Sequence, residues 1–122
     1  MYLSQRVVPE IVYTLHQPTG VADSFYFKAP NYPTRFSHMD ISATAADSTD
    51  KPTLAFVVDG TTIATGAAAV VAADTVQRTS AVDAGKSEII PAGAALRIVL
   101  TFGGTAASVT GIAVRVVLHG TN

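Results

Sequence analysis

The 122-residue sequence has no cysteine and no tryptophan, and only 14% of its residues are charged. Without cysteine, neither disulfides nor thiolate metal sites are available, so a fold must stand on its core alone. The absence also fits a reducing compartment. A chain of this length buries roughly two-thirds of its unfolded surface, enough for one unstapled domain. A net charge of -1 offers no basic field for nucleic acid and no acidic tail. Aromatic residues are 7% of a chain that is 48% hydrophobic, so much of the apolar content is small Ala and Val and yields less burial per residue. A surface this poor in charge leaves apolar area exposed, which predicts association with other copies or with a larger assembly. The start, MYLSQRVVPEIV, lacks the basic, apolar and small-residue zones of a secretory signal. The longest uncharged apolar run, residues 66–73, is far short of the roughly 20 residues that span a bilayer. The expectation is a soluble, unprocessed chain with no membrane partner.

What is present is alternation. Leu96, Ile98, Leu100 and Phe102 fall on one face of an extended segment, with Arg97, Val99 and Thr101 on the other, as a side-chain period of two requires. Ile112, Val114, Val116 and Leu118 alternate in the same way with Ala113, Arg115, Val117 and His119. Residues 10–16 give a first strand, closed by turn chemistry at Gln17-Pro18-Thr19-Gly20. Residues 21–29 give a second, with Phe25 and Phe27 on one side, ended by Pro30-Asn31-Tyr32-Pro33. Residues 34–44 suit a third. Its faces, Ser37, Met39, Ile41 and Ala43 against Phe36, His38 and Asp40, both carry mixed chemistry, which points to a bulge or an exposed edge. Residues 45–52 read as a polar connection.

Asp59-Gly60 between β-prone flanks predicts a hairpin over residues 53–65 with a type I′ turn. The Ala-rich residues 66–74 have high helix propensity but no stripe of large apolar residues to dock a helix, so a small-residue strand is favoured. Residues 75–82 add another strand, residues 83–86 a turn, and Pro91 and Gly93 shape the approach to the strand at 96–102. Gly103-Gly104 suggests a tight hairpin, yet TAASVT after it is weakly patterned. Read as a longer connection, residues 103–110 let the two last strands lie in opposite sheets with their apolar faces meeting across the core. The sum is an all-β fold: an antiparallel β-sandwich of about eight strands, with residues 1–9 as an N-terminal arm and 10–122 as one domain. The arm is either a frayed terminus or a segment that docks on a neighbouring subunit.

Catalytic and metal patterns are missing from the sequence. His16, His38 and His119 have no i, i+2 or i, i+4 partner, and ADSTD with Asp47 and Asp50 lacks the central Gly and distal Glu of a calcium loop. Glu10, Asp23 and Asp40 would serve as an acid/base pair for glycoside cleavage only if cross-strand pairing brought two of them together, and their separation is not readable in the sequence. Ser80, Ser87 and Ser108 have no nucleophile-elbow context. No helix follows Gly103-Gly104 to make a phosphate cradle. Tyr26, Tyr32 and Phe36 form an aromatic platform only if they share a face; core packing plus one loop Tyr is the simpler reading. The expectation is a non-enzyme with no cofactor and no small-molecule substrate.

The short cysteine-free length, the Ala/Thr/Val-rich strands, the VVDGTT hairpin, and IIPAG leading into LRIVLTF with a final GIAVRVVLHG strand give residues 7–120 a recognisable style. The chain resembles the small jelly-roll decoration (cement) proteins and other minor structural proteins of tailed bacteriophage virions. That resemblance implies a jelly-roll sandwich, a homotrimer made in the host cytoplasm, and a place on the virion capsid surface at junctions of the major capsid protein. It carries over no functional residue, because such a function lies in surfaces. Candidate partner contacts are Tyr2, Leu3 and Arg6 of the arm and Tyr32 of the Pro-bounded turn. The alternative class is a receptor- or carbohydrate-binding module of a tail fibre or spike, using Tyr26, Tyr32, Asp47 and Asp50.

Overall fold

The computed structural model describes residues 9–19, 23–44, 52–66, 75–102 and 110–121. Within them the backbone forms nine strands and no helix: β1 (Glu10–Thr19), β2 (Asp23–Lys28), β3 (Thr34–Ser42), β4 (Pro52–Val58), β5 (Thr61–Gly66), β6 (Gln77–Thr79), β7 (Ile89–Ile90), β8 (Ala95–Phe102) and β9 (Thr110–Gly120). The expected strand or helix at residues 67–74, the arm up to residue 8, the ADSTD loop, Gly103-Gly104 and Ser108 lie outside the described residues.

All pairing is antiparallel, in two sheets. One has the order β1-β9-β3-β6, with β7 also on β3; the other has the order β2-β8-β4-β5. The pairings nest: β4 with β5, β3 with β6 and β7, β2 with β8, and β1 with β9. A long ribbon doubled at the β4–β5 hairpin has thus been rolled up, and the β3–β9 and β4–β8 ladders close the roll. This is the jelly roll. As the weak patterning after Gly104 implied, β8 and β9 lie in different sheets and share no ladder. Leu96, Ile98 and Leu100 of one face Ile112, Val114 and Val116 of the other within a single core, where the stacked rings of Phe36 and Phe56 stand 5.7 Å apart.

The hairpin turn is as expected. Asp59 and Gly60 both have positive φ, 48° and 84°, the requirement of type I′. The mixed pattern of residues 34–44 resolves into a bulge. Phe36 pairs with Leu118 and His38 with Val117, leaving Ser37 unmatched. The extra residue turns Phe36 onto the same inner face as Met39 and Ile41, all three buried, and leaves His38, Asp40 and Ser42 on the outer face.

Four sequence expectations need correction. Gln17-Pro18-Thr19 is not a turn: β1 continues to Thr19, which pairs with Thr110. It can because β1 is an edge strand, where the N–H missing from Pro18 is not needed. Pro52 is not in the connection but opens β4 opposite Phe102, as a proline may at a strand's first position. Gly66 ends β5, paired with Leu54. Finally, residues 75–82 do not form one strand. Only Gln77–Thr79 pairs, on Met39–Ile41, and the same edge of β3 is taken up again by Ile89–Ile90 on Thr34–Arg35. Between the two, residues 80–88 leave this sheet and reach the other. There the Asp83 N–H donates to the Ile63 carbonyl at 2.7 Å, and the Asp83 carboxylate accepts from the Thr65 N–H at 3.1 Å and the Thr65 hydroxyl at 2.9 Å. The excursion ties the β6 edge to the β5 edge. At the opposite edge of the sandwich, Tyr13 of β1 donates to the Lys28 carbonyl of β2 at 3.0 Å and lies against the Phe27 ring.

Candidate functional site

Outward-facing residues on the β1-β9-β3-β6 sheet line up in rows set by the register. One row, Thr14, Arg115, Asp40 and Arg78, crosses all four strands; the next, His16, Ala113 and Ser42, crosses three. Ala113 carries only a methyl group between larger neighbours, so the surface dips there. The dip is a concavity of about 450 Å³ lined by both rows and by Val76, and Val76 is an exposed apolar residue beside it.

Asp40 is the charged centre of this surface. It is 6% exposed, and with Thr34 it completes the buried polar and charged side chains among the described residues. Arg78 approaches it side-on, Nε to Oδ1 at 2.8 Å and an Nη to Oδ2 at 3.0 Å. An Nη of Arg115 lies 3.5 Å from Oδ2. The Arg78 hydrogen bonds hold the Asp40 carboxyl below the usual carboxylate range, against the opposing effect of burial, and the positive charge nearby adds to them. Desolvation pushes His38 below the usual histidine value, helped by the Arg78 charge and opposed by Asp40. Its Nδ1 shares a 2.9 Å hydrogen bond with the Ser37 hydroxyl. At neutral pH the imidazole is uncharged, so its 3.8 Å approach to Asp40 is not an ion pair. The site therefore holds one carboxylate against two guanidinium groups whose side chains are 51% and 50% exposed.

The acids considered for acid/base work do not converge. Asp40 is bound to arginine; Glu10, on the same face, lies 3.4 Å from His119; Asp23, in the other sheet, accepts from the Ser24 N–H at 2.7 Å. Ser87 accepts from the Ile89 N–H within a turn. Among the described residues no three His, Asp or Glu side chains are grouped to hold a metal ion. The three aromatic candidates are also separated. Phe36 is core; Tyr26, 73% exposed, stands on the outer face of the β2-β8-β4-β5 sheet. Tyr32 sits exposed in the β2–β3 turn, close enough to Tyr13 to raise its pKa as the second cause after burial. Of the expected partner contacts, Tyr32 is thus on the surface, and Tyr2, Leu3 and Arg6 lie outside the described residues. The sequence reading missed Arg78 and Arg115. Arg115 was visible as the polar member of an alternating strand, but Arg78 is joined to Asp40 only across 38 residues of sequence.

Fold and surface together define a jelly-roll β-sandwich whose polar chemistry lies on an outer sheet face. No protein-family model matches the chain, and no curated protein matches it. Among solved structures it is similar to the EclA C-terminal domain, described as a sugar-binding protein, with TM-score 0.44 and 11% identity over 96% of this chain and 82% of that one. It is also similar to a chain in the structure of the Gx strain of infectious bursal disease virus, with TM-score 0.39 and 16% identity; all of this chain is covered and 37% of that one. Likeness at this level says nothing of ligand or partner.

Proposed function

We propose that the chain is a structural virion protein that binds an assembled capsid at junctions of the major capsid protein and stabilises it, acting as a homotrimer and not as an enzyme. The observation that carries this reading is the division of labour between inside and outside. The buried side chains among the described residues are apolar apart from Thr34 and Asp40, so the interior serves packing and the sheet faces are left to serve contact. A binder that recognises only the assembled shell stabilises that shell by mass action. Three linked copies on a symmetric junction gain avidity without a strong single contact. A low content of charged residues, 14%, suits close approach to neighbouring subunits. The proposed contacts are Tyr2, Leu3 and Arg6 of the arm, and Tyr32 in the β2–β3 turn. The test is co-sedimentation with undecorated capsids, paired with a deletion of residues 1–6: retained binding by the truncated chain removes the arm from the proposal.

One observation favours a second reading, a carbohydrate- or receptor-binding module. Tyr26 stands exposed between concavities of about 430 and 190 Å³, the smaller shared with Arg97, and an exposed ring of this kind is a platform for a sugar face. Glycan binding that disappears in Tyr26→Ala supports this reading; glycan binding unchanged in that variant removes it.

A further inference from the structure

We infer that the concavity on the outer face of the β1-β9-β3-β6 sheet is a carboxylate-binding site, and that its occupant is an acidic side chain on a surface segment of the protein partner. The inference starts from charge. Asp40 neutralises one of the two guanidinium groups, so the site keeps one positive charge in excess. Arg78 spends its Nε edge on Asp40, which leaves its remaining N–H donors pointing away from that carboxylate. Among the described residues, Arg115 makes one contact, at 3.5 Å, the outer limit of a hydrogen bond. Both side chains are half exposed, and both reach toward Asp40 along the register row.

Two guanidinium forks flanking a dip floored by Ala113, with the hydroxyl-bearing Thr14 and Ser42 at its rim, match the planar, bidentate geometry of a carboxylate. The choice of a protein side chain over an acidic sugar follows from what lines the dip. It has no Tyr, Trp or Phe ring to stack on a pyranose face, the His16 imidazole being its one aromatic group, and it offers the exposed apolar Val76, which suits the aliphatic stem of a glutamate. The choice of a protein as occupant rests on the shell-binding reading; the site's preference for a carboxylate does not.

Asp40 is the internal competitor of such a ligand, and this gives the test opposite signs. The full chain, labelled with nitrogen-15, is titrated with acetyl-Glu-Glu-Glu-amide at low salt, and separately with D-glucuronate. Expected are saturable shifts centred on the Ala113 and Ser42 amides and the Arg115 Nε–H, stronger for the peptide and weakened by salt. Arg115→Gln, on an exposed strand face away from the core, weakens peptide binding by about fivefold. Asp40→Asn, whose amide oxygen still accepts from Arg78, tightens it. A merely structural role for the cluster predicts weakening in both variants. No saturable shift, tighter binding of glucuronate than of peptide, or unchanged binding in Arg115→Gln each overturns the inference. Arg115→Gln that co-sediments with capsids as the parent chain does overturns the site and leaves the shell-binding reading standing. A parent chain that binds the peptide and ignores capsids overturns the shell-binding reading and leaves the carboxylate site.

Discussion

Asp40 is tolerated in a nearly buried place because Arg78 meets it with two charge-assisted hydrogen bonds. That arrangement sets the sign of the pH dependence. The folded-state pKa of Asp40 is below its ordinary 3.8, so its contribution to stability is complete above that value and is lost as pH falls through the depressed one. His38, below its ordinary 6.5 because burial disfavours its charged form, acts in the same direction: its contribution is complete above 6.5 and fades as pH falls toward the folded value. Thermal midpoints are expected to decline on acidification in two stages, the first beginning near pH 6.5 and the second below about pH 4. His38→Gln removes the first stage alone. Midpoints that rise between pH 7 and 5 contradict this assignment. Thr34 makes a separate case. It is fully buried, and its hydroxyl finds no hydrogen-bond partner among the described residues. Thr34→Val keeps the shape and removes the stranded polar group, so calorimetry is expected to show a gain of about 1 kcal/mol.

At the level of elements, the loop between β6 and β7 shows why a one-dimensional pattern stops short. The strands β8 and β9 were legible because Leu96–Ile98–Leu100 and Ile112–Val114–Val116 repeat every second residue with few interruptions, and the β4–β5 hairpin because Asp59-Gly60 has one good conformational solution. Nothing comparable marks residues 75–90. Their path depends on Asp83 finding Thr65 across the sandwich and on the Phe36 N–H donating to the Glu88 carbonyl at 2.8 Å, both contacts between segments distant in sequence. The bulge at Ser37 was suggested by the mixed faces of its strand, but its position comes from the register with β9. Asp83→Ala removes the two side-chain hydrogen bonds that hold the excursion to β5. It is expected to cost about 1–2 kcal/mol and to speed amide exchange at Thr65 and at residues 80–88. Exchange that is unchanged there while stability falls would place the role of Asp83 elsewhere.

For the whole molecule, the antiparallel sandwich follows from a few facts readable in the sequence: regular turn signals, two-residue periodicity, and a late pair of strands too weakly joined for a hairpin. The jelly-roll connectivity was an implication of the family resemblance and is seen in the nesting of the strand pairs. The candidate site was less legible. Asp40 was considered only as an acid/base partner, and its actual partners became visible only when the roll brought β3, β6 and β9 side by side. The proposed shell-binding role is tested most directly by mixing the purified 12.6 kDa chain, its solution mass first determined by light scattering, with undecorated phage capsids, and measuring co-sedimentation. The account predicts a trimer that pellets with the capsids to saturation. A monomer that stays in the supernatant at every capsid concentration would contradict it.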